Sequence, residues 1–591
     1  MLDEFNQIAE KSRLHADPDQ NRLLAKMVLE QLTYQLGAIG AGSGLPASTV
    51  VVPFIAGTMT AAALDAFAGS GYPPVLIPFS QLALKDRVEI LKSLPDKEIW
   101  TELLDQKGFH WLLSYAGGTP RIFQQLIEGE FKRARMGGPW VGPRLCGDVA
   151  TCLPPYSFAR LSHFCFFSQA ASPPLPHFVV CRQHWGSQRR DSEPSRPFAW
   201  GWADIAATLG QRLLLERYKS CLLPREAAQL IADAVLQTEV DVSTPVVPGA
   251  GRDSSVAQDV GTQRPWLGPR TLGSLETTGL VVLTPSRSSL HKMVYMPQVF
   301  MAALLESAGD AFPPNLLSNL RELANPKYVQ AEAGWMQFER FLAHFEAVKL
   351  TLSFSSSFSR RAALGTSADL TLGSYFGLNP SECALGPEQL RWTFRLRQAD
   401  VPFFEVQQKF PGDFGKGKPI RHVEDLVTKK HRLSSVQPVS WDSGAMCLNG
   451  DQARACDFFT VLDVTDPHIG DCFQVIVLFQ ARRREGGPSH AKVLEELAKA
   501  HAAITLFLPT FGPDAHGRLR WLLVFCSPEA AKAQTSTLEE LAKGRDDLPG
   551  QRPLPVLVLD GPRLRAHLGP VMADAASILC RPRAGPGPPP P

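Results

Sequence analysis

Two short, almost uninterrupted apolar runs constrain the fold most. Val50-Val51-Val52-Pro53-Phe54-Ile55-Ala56 stops at Gly57-Thr58, and Phe473-Gln474-Val475-Ile476-Val477-Leu478-Phe479 stops at Gln480-Ala481-Arg482. The first reads as a buried parallel strand, because a strand covered on both faces carries a continuous apolar run. The second reads as a strand that delivers polar residues at its end. Between and around them lie stretches with helical spacing: Asn21–Leu36, Leu82 to Leu91, Asp204–Tyr218, Arg225–Gln237, Trp335–Phe345 and Ala491–Ala502. Further strands are predicted over Ile504–Leu508, Leu519–Cys526 and Pro555–Leu559, with a helix inside Asp560–Met572. The pattern is that of an α/β multidomain chain, since 591 residues exceed what a single core organises.

Charge and cysteine usage narrow the function classes. A net charge of +2 gives no global attraction to nucleic acid or membrane, so any such surface must be a local patch. The longest apolar stretch, Val50–Gly69, is broken by Pro53 and Asp65 and reads as strand plus helix; no membrane partner is expected. Eleven scattered cysteines lack a disulfide framework, and the sequence as written opens without a signal peptide. A reduced, intracellular protein, nuclear or cytoplasmic, is the expectation. Cys146, Cys152, Cys165, Cys181, His163, His177 and His184 are irregularly spaced among Pro and Ser, unlike the regular four-ligand spacing of a zinc site. Residues 137–200 therefore read as an inserted, disordered loop.

At the N-terminus, Met1-Leu2-Asp3-Glu4-Phe5 reads as the end of a Walker B strand, where one carboxylate holds Mg²⁺ and the next positions water. No G-x-x-x-x-G-K-[ST] phosphate loop occurs in the 591 residues. The order Leu-Asp-Glu-Phe, Ala56-Gly57-Thr58-Met59, Leu76-Ile77-Pro78-Phe79-Ser80, then Gly117-Gly118-Thr119-Pro120-Arg121 resembles the distal half of the NTPase module in Crinkler-type effectors and retrotransposon hot spot proteins. The resemblance covers about the first 130 residues. It implies a partial P-loop (AAA/STAND-like) NTPase over 1–136. Asp3 and Glu4 would be the Walker B pair, Thr58 a sensor and Arg121 a second sensor on the lid. Without the phosphate loop the sequence as written should not hydrolyse nucleotide, and ATP is expected only if an upstream loop exists.

Downstream, helical patterns, a Gly turn and two short strands near Gly279–Leu283 and Val294–Pro297 outline a winged-helix-like domain over 201–325. Such modules often place a helix in a DNA groove, but the helix faces here carry no dense Arg/Lys stripe, which favours a packing role.

The region 326–575 carries the second constellation. Asp457 precedes Phe458-Phe459, and Gln480-Ala481-Arg482 ends the apolar strand. Residues i and i+2 of a strand share a face, so Gln480 and Arg482 would flank a metal bound by Asp457 and Gln480. This resembles a PD-(D/E)xK, restriction-endonuclease-like α/β domain. The resemblance implies Glu339, on the first core helix, as a fourth catalytic residue beside Asp457, Gln480 and Arg482, and Mg²⁺ as cofactor. Two departures stand out: Gln480 offers oxygen without charge, and Arg482 binds phosphate but exchanges protons poorly. Lys429, Lys430, Arg432, Arg483 and Lys492 are candidate nucleic-acid contacts, DNA being the expected partner. The bland alternatives are a solvated basic loop and an ordinary strand exit. Two readings follow: a Mg²⁺-dependent nuclease-like protein, or an inactive relative that binds without cutting. Residues 576–591 read as a disordered Pro-rich tail.

Overall fold

The structure is a computed structural model, and it describes residues 82–94, 97–117, 222–248, 270–277, 281–285, 291–325, 334–360, 370–378, 385–405, 444–449, 456–482, 487–507, 519–531, 534, 537 and 556–580. Asp3, Glu4, Thr58, Arg121, Lys429, Lys430, Arg432 and Arg483 lie outside the described residues, as do the expected insertion at 137–200 and the Pro-rich tail.

Three helices come first: α1 (Leu84–Ser93), α2 (Lys97–Leu104) and α3 (Lys107–Ala116). Next is α4 (Pro224–Leu236), whose start is set locally. Pro224 supplies a fixed φ at the first helical position, and the Glu226 carboxylate accepts the Leu223 N–H at 2.9 Å. Strand β1 (Glu239–Val240), helix α5 (Leu272–Thr277) and strands β2 (Val282–Pro285) and β3 (Lys292–Tyr295) follow. The strands form an antiparallel sheet in the order β1-β3-β2. The helix expected over Arg225–Gln237 and the two short strands after it are thus present. Helices α6 (Gln298–Ala308) and α7 (Pro314–Leu323) lead to the long α8 (Gly334–Phe354), which runs well past the expected Phe345.

The larger sheet has seven strands. After the short helices α9 (Leu372–Phe376) and α10 (Pro387–Leu390) come β4 (Thr393–Arg395), β5 (Phe403–Glu405), β6 (Met446–Leu448), β7 (Phe458–Thr465) and β8 (Cys472–Ala481). Helix α11 (His490–Phe507) precedes β9 (Leu519–Cys526), then β10 (Leu557–Leu559), α12 (Gly561–Leu568) and α13 (Pro570–Cys580). The order is β10-β9-β8-β7-β6-β5, with β4 also paired to β7. β6, β7 and β8 are antiparallel neighbours, whereas β8, β9 and β10 run parallel, so α11 is the crossover between β8 and β9. The β7–β8 turn is held by Asp466, whose carboxylate accepts the His468 N–H at 2.9 Å, and by Gly470 at φ +72°. Residues 504–507, expected to begin a strand, are instead the last turn of α11. A short apolar run fits either element, and the Ala-rich stretch before it carries the helix onward.

Side-chain alternation assigns the faces. Ile476 and Leu478 of β8, Phe459 and Val461 of β7, and Trp521, Leu523 and Phe525 of β9 form one core cluster with Val493, Leu497 and Ala500 of α11. The other face is covered by α8, where Phe354 meets Phe394 of β4 edge-on at 5.2 Å between ring centroids. Phe458 and Phe479 stack there at 4.6 Å.

That second layer contains a buried polar network. His567 Nε2 donates to Glu346 Oε1 at 2.6 Å, Tyr375 donates to Glu346 Oε2 at 2.5 Å, and Lys349 Nζ donates to His567 Nδ1 at 2.9 Å. All four side chains are buried, and every heteroatom of the chain Tyr375–Glu346–His567–Lys349 finds a partner within it. Burial pulls the Lys349 ammonium down to about 8 against the attraction of Glu346, and it lowers the His567 imidazole, so His567 is neutral. Farther along, Arg360 spans both oxygens of buried Asp233 (2.6 to 3.0 Å) and caps the Pro245 and Val246 carbonyls. This tie links α4 to the segment after α8. All described residues belong to one compact unit.

Candidate functional site

The strand parity that buries Ile476 and Leu478 under α11 also brings Gln480, and then Arg482, to that face. Asp457 stands one residue before β7, and its N–H bonds the Phe479 carbonyl at 2.9 Å, which fixes it opposite the end of β8. Its Oδ2 accepts two hydrogen bonds, from Gln480 Nε2 at 2.7 Å and from the Ala481 N–H at 2.6 Å. Beyond the strand, the Arg482 N–H bonds the Cys526 carbonyl at 2.8 Å, extending the β8–β9 pairing by one residue. The structure therefore brings Asp457, Gln480 and Arg482 together as the sequence spacing predicts.

A fourth residue completes the cluster, and it is not Glu339. The Arg482 guanidinium pairs with Glu496 of α11, a buried carboxylate that also pairs with Lys492 at 3.0 Å and Lys499 at 3.2 Å. Glu339 lies near the start of α8, in the layer on the other face of the sheet. The helix that follows β8, not the one that precedes the sheet, supplies the second carboxylate. Two turns beyond Glu339, Glu346 is the α8 carboxylate that turns into the core, where it serves the network with His567. The signal for Glu496 was weak: a Glu between two lysines at i+3 and i+4 reads as an ordinary solvated helix face. Lys492 sits where expected, on the helix after the strand.

Electrostatics at the cluster run in opposite directions. Burial drives the Asp457 carboxyl up to about 7, helped by the nearby Glu496 charge and opposed by the Ala481 N–H, Arg482 and Gln480. As a whole residue Asp457 is half-buried at the end of the β7–β8 pair. The exposed Glu495, between Lys492 and Lys499, is held down to about 2 by hydrogen bonds from both lysines.

The donor set can be weighed against Mg²⁺. That ion takes oxygen ligands, commonly one or two carboxylates completed by water and substrate phosphate. Asp457 offers a carboxylate, and Gln480 offers an amide oxygen once its side chain is turned, because its nitrogen now faces Asp457. The pair fits a Mg²⁺ that relies on substrate oxygens for the rest of its shell. Among the described residues, no three Asp, Glu, His or Cys side chains gather as a metal site, so Glu339 does not join Asp457 and Glu496 in one.

Compared with known proteins, the chain matches no family model, no curated protein and no solved structure. Among the described residues, no helix is long and apolar enough to cross a membrane.

Proposed function

We propose that the α/β region from α8 to α13 is a nuclease-like domain that engages and hydrolyses nucleic-acid phosphodiesters, with DNA the expected partner, at the Asp457–Gln480–Arg482 cleft. The observation that carries the reading is the placement of Asp457 directly against Gln480 across the antiparallel β7–β8 pair, with Arg482 two residues on along the same face. The antiparallel β7–β8 pair and the parallel β8–β9 pair hold the ends of the strands that carry these residues side by side. The reading keeps the Crinkler-type resemblance as its frame, including the winged-helix-like segment over 201–325.

In this reading Asp457 and Gln480 would hold Mg²⁺, which would supply charge neutralisation at the phosphate and an activated water. Arg482 binds a non-bridging phosphate oxygen and stabilises the charge that builds as the P–O ester bond breaks. Because guanidinium stays protonated, it positions and neutralises rather than acting as base. Water attacks phosphorus and gives up a proton to solvent as the P–O ester bond breaks, the departing ester oxygen takes a proton from solvent, and a phosphomonoester and a hydroxyl result.

A second reading has one specific observation in its favour. The Gln480 amide already satisfies Asp457 through its N–H, and the Asp457 carboxyl is pushed toward neutrality, which suits a site that binds phosphate without cutting. The test is incubation of the full chain with plasmid and single-stranded DNA in Mg²⁺, Mn²⁺ or EDTA, beside Asp457→Ala. Metal-dependent cutting that disappears in the variant is expected. A folded chain that binds DNA in EDTA but cuts under no condition would replace hydrolysis with the second reading.

A further inference from the structure

Three cations converge on one buried oxygen beside the cleft. Glu496 Oε1 pairs with Arg482, with Lys492 at 3.0 Å and with Lys499 at 3.2 Å. The Glu496 side chain is 3% exposed, whereas the cationic side chains keep 31% (Arg482), 27% (Lys492) and 41% (Lys499) of their surface. Glu495 takes a second contact from each lysine, at 2.7 Å from Lys492 and 2.6 Å from Lys499.

An ordinary ladder of helix ion pairs explains Glu495, which is exposed and spaced three and four residues from its lysines. It does not explain Glu496. A buried carboxylate is costly unless it is paired, and this one takes its partners from two elements, the end of β8 and α11. Three cations meet the two α11 carboxylates, and Arg482 also lies beside Asp457. The buried member anchors, and the charged heads stay at the surface. Lys492 and Lys499 leave α11 seven residues apart, two helical turns or roughly 10 Å, and their ammonium groups lean toward each other onto the one Glu496 oxygen, close enough to meet neighbouring phosphates of one nucleic-acid strand.

We propose that Glu496 is a positioning residue that holds Arg482, Lys492 and Lys499 as one clamp for successive backbone phosphates of a nucleic acid entering the Asp457–Gln480 cleft. The choice of nucleic acid as substrate class rests on the nuclease-like reading. Lys499 thereby becomes a binding residue, and phosphates replace Glu495 as the partner of the two lysines.

The experiment measures binding of a fluorescent DNA duplex and of a single strand to the full chain in EDTA, across a salt series. Each phosphate contact contributes roughly 0.9 to the slope of log K against log salt for duplex, and roughly 0.7 for single strands. Lys492→Gln and Lys499→Gln should each reduce the slope by about one such contact, and Lys499→Arg should restore it. Lys92→Gln, an exposed lysine paired with Glu89 on α1, should leave the slope unchanged. Glu496→Gln should bind at least as tightly as wild type, because a negative charge is gone, yet cut more slowly, because Arg482 has lost its anchor. Weaker binding by Glu496→Gln together with a lower unfolding temperature would mean a purely structural carboxylate and overturn the positioning role. Binding with an unaltered slope in both lysine variants would overturn the clamp alone. A wild-type chain that binds neither duplex nor single strand would overturn the nuclease-like reading beneath it.

Discussion

Burial of the Asp457 carboxyl should cost the folded protein stability at neutral pH, and replacing it with Asn should show by how much. Burial lifts its carboxyl from near 3.8 to about 7. An acid with a raised folded pKa binds more protons folded than unfolded, so stability falls as pH rises between the two values and then stays low. Below about pH 3 both states are protonated and the group is neutral to stability. Above about pH 7 the full penalty applies: at 1.36 kcal/mol per pKa unit it has an upper bound of about 4 kcal/mol. Partial solvent access and the Arg482 charge reduce this, and about 2 kcal/mol is the working figure. Asp457→Asn removes the charge while its side-chain oxygen still accepts from the Gln480 amide and the Ala481 N–H. Urea unfolding of both proteins, followed by tryptophan fluorescence and far-UV circular dichroism, should give a midpoint difference at pH 4.5 only about half of that at pH 8. By pH 8 the variant should be the more stable, and activity should be lost throughout. A difference independent of pH, or a variant less stable at pH 8, would refute the argument that burial of this charge dominates.

Two further stability predictions concern the frame around the site. Arg360→Leu strands the fully buried Asp233 without its cation and should cost about 3–5 kcal/mol in urea unfolding, with Asp233→Asn in the same chain recovering part of the loss. Gly487→Ala should be far more damaging than Gly470→Ala: both glycines have positive φ, near +66° and +72°, but a Cβ at 487 would overlap the Ala530 carbonyl while one at 470 meets open space. The second change should cost only about 1–2 kcal/mol from backbone strain, and a thermal melt that ranks them the other way would contradict the close approach of that turn to the segment after β9.

The long elements were legible because their patterns outlast local noise. Phe473–Phe479 is buried on both faces, so its apolar run needs no periodicity to be read, and the Gln480–Arg482 spacing follows from strand parity alone. The three-residue strands Thr393–Arg395 and Phe403–Glu405 were not legible, since neither is long enough to show alternation. Each exists because a distant strand pairs with it: β4 with the far end of β7, and β5 with β6. The site divides in the same way. Asp457, Gln480 and Arg482 lie on adjacent strands whose register the turn near Asp466 sets, whereas Glu496 gains its role only when α11 folds back over the sheet. For the α8 carboxylates, helical periodicity gives a face but not which layer of the sheet the helix will cover.

The network around Glu346 sets a condition on how the chain can be made. Glu346 and Lys349 emerge from the ribosome 221 and 218 residues ahead of His567. At roughly 5–20 residues per second, that is about 10–40 s of synthesis. Throughout that interval α8 carries a carboxylate and an ammonium on the side destined for the interior, with no imidazole to join them. The polar network of this layer therefore cannot be completed until the last helices arrive. A nascent chain stalled before residue 567 would present an open, protease-sensitive α8, and a premature stop codon in that stretch would remove the closing piece of a core begun more than 200 residues earlier.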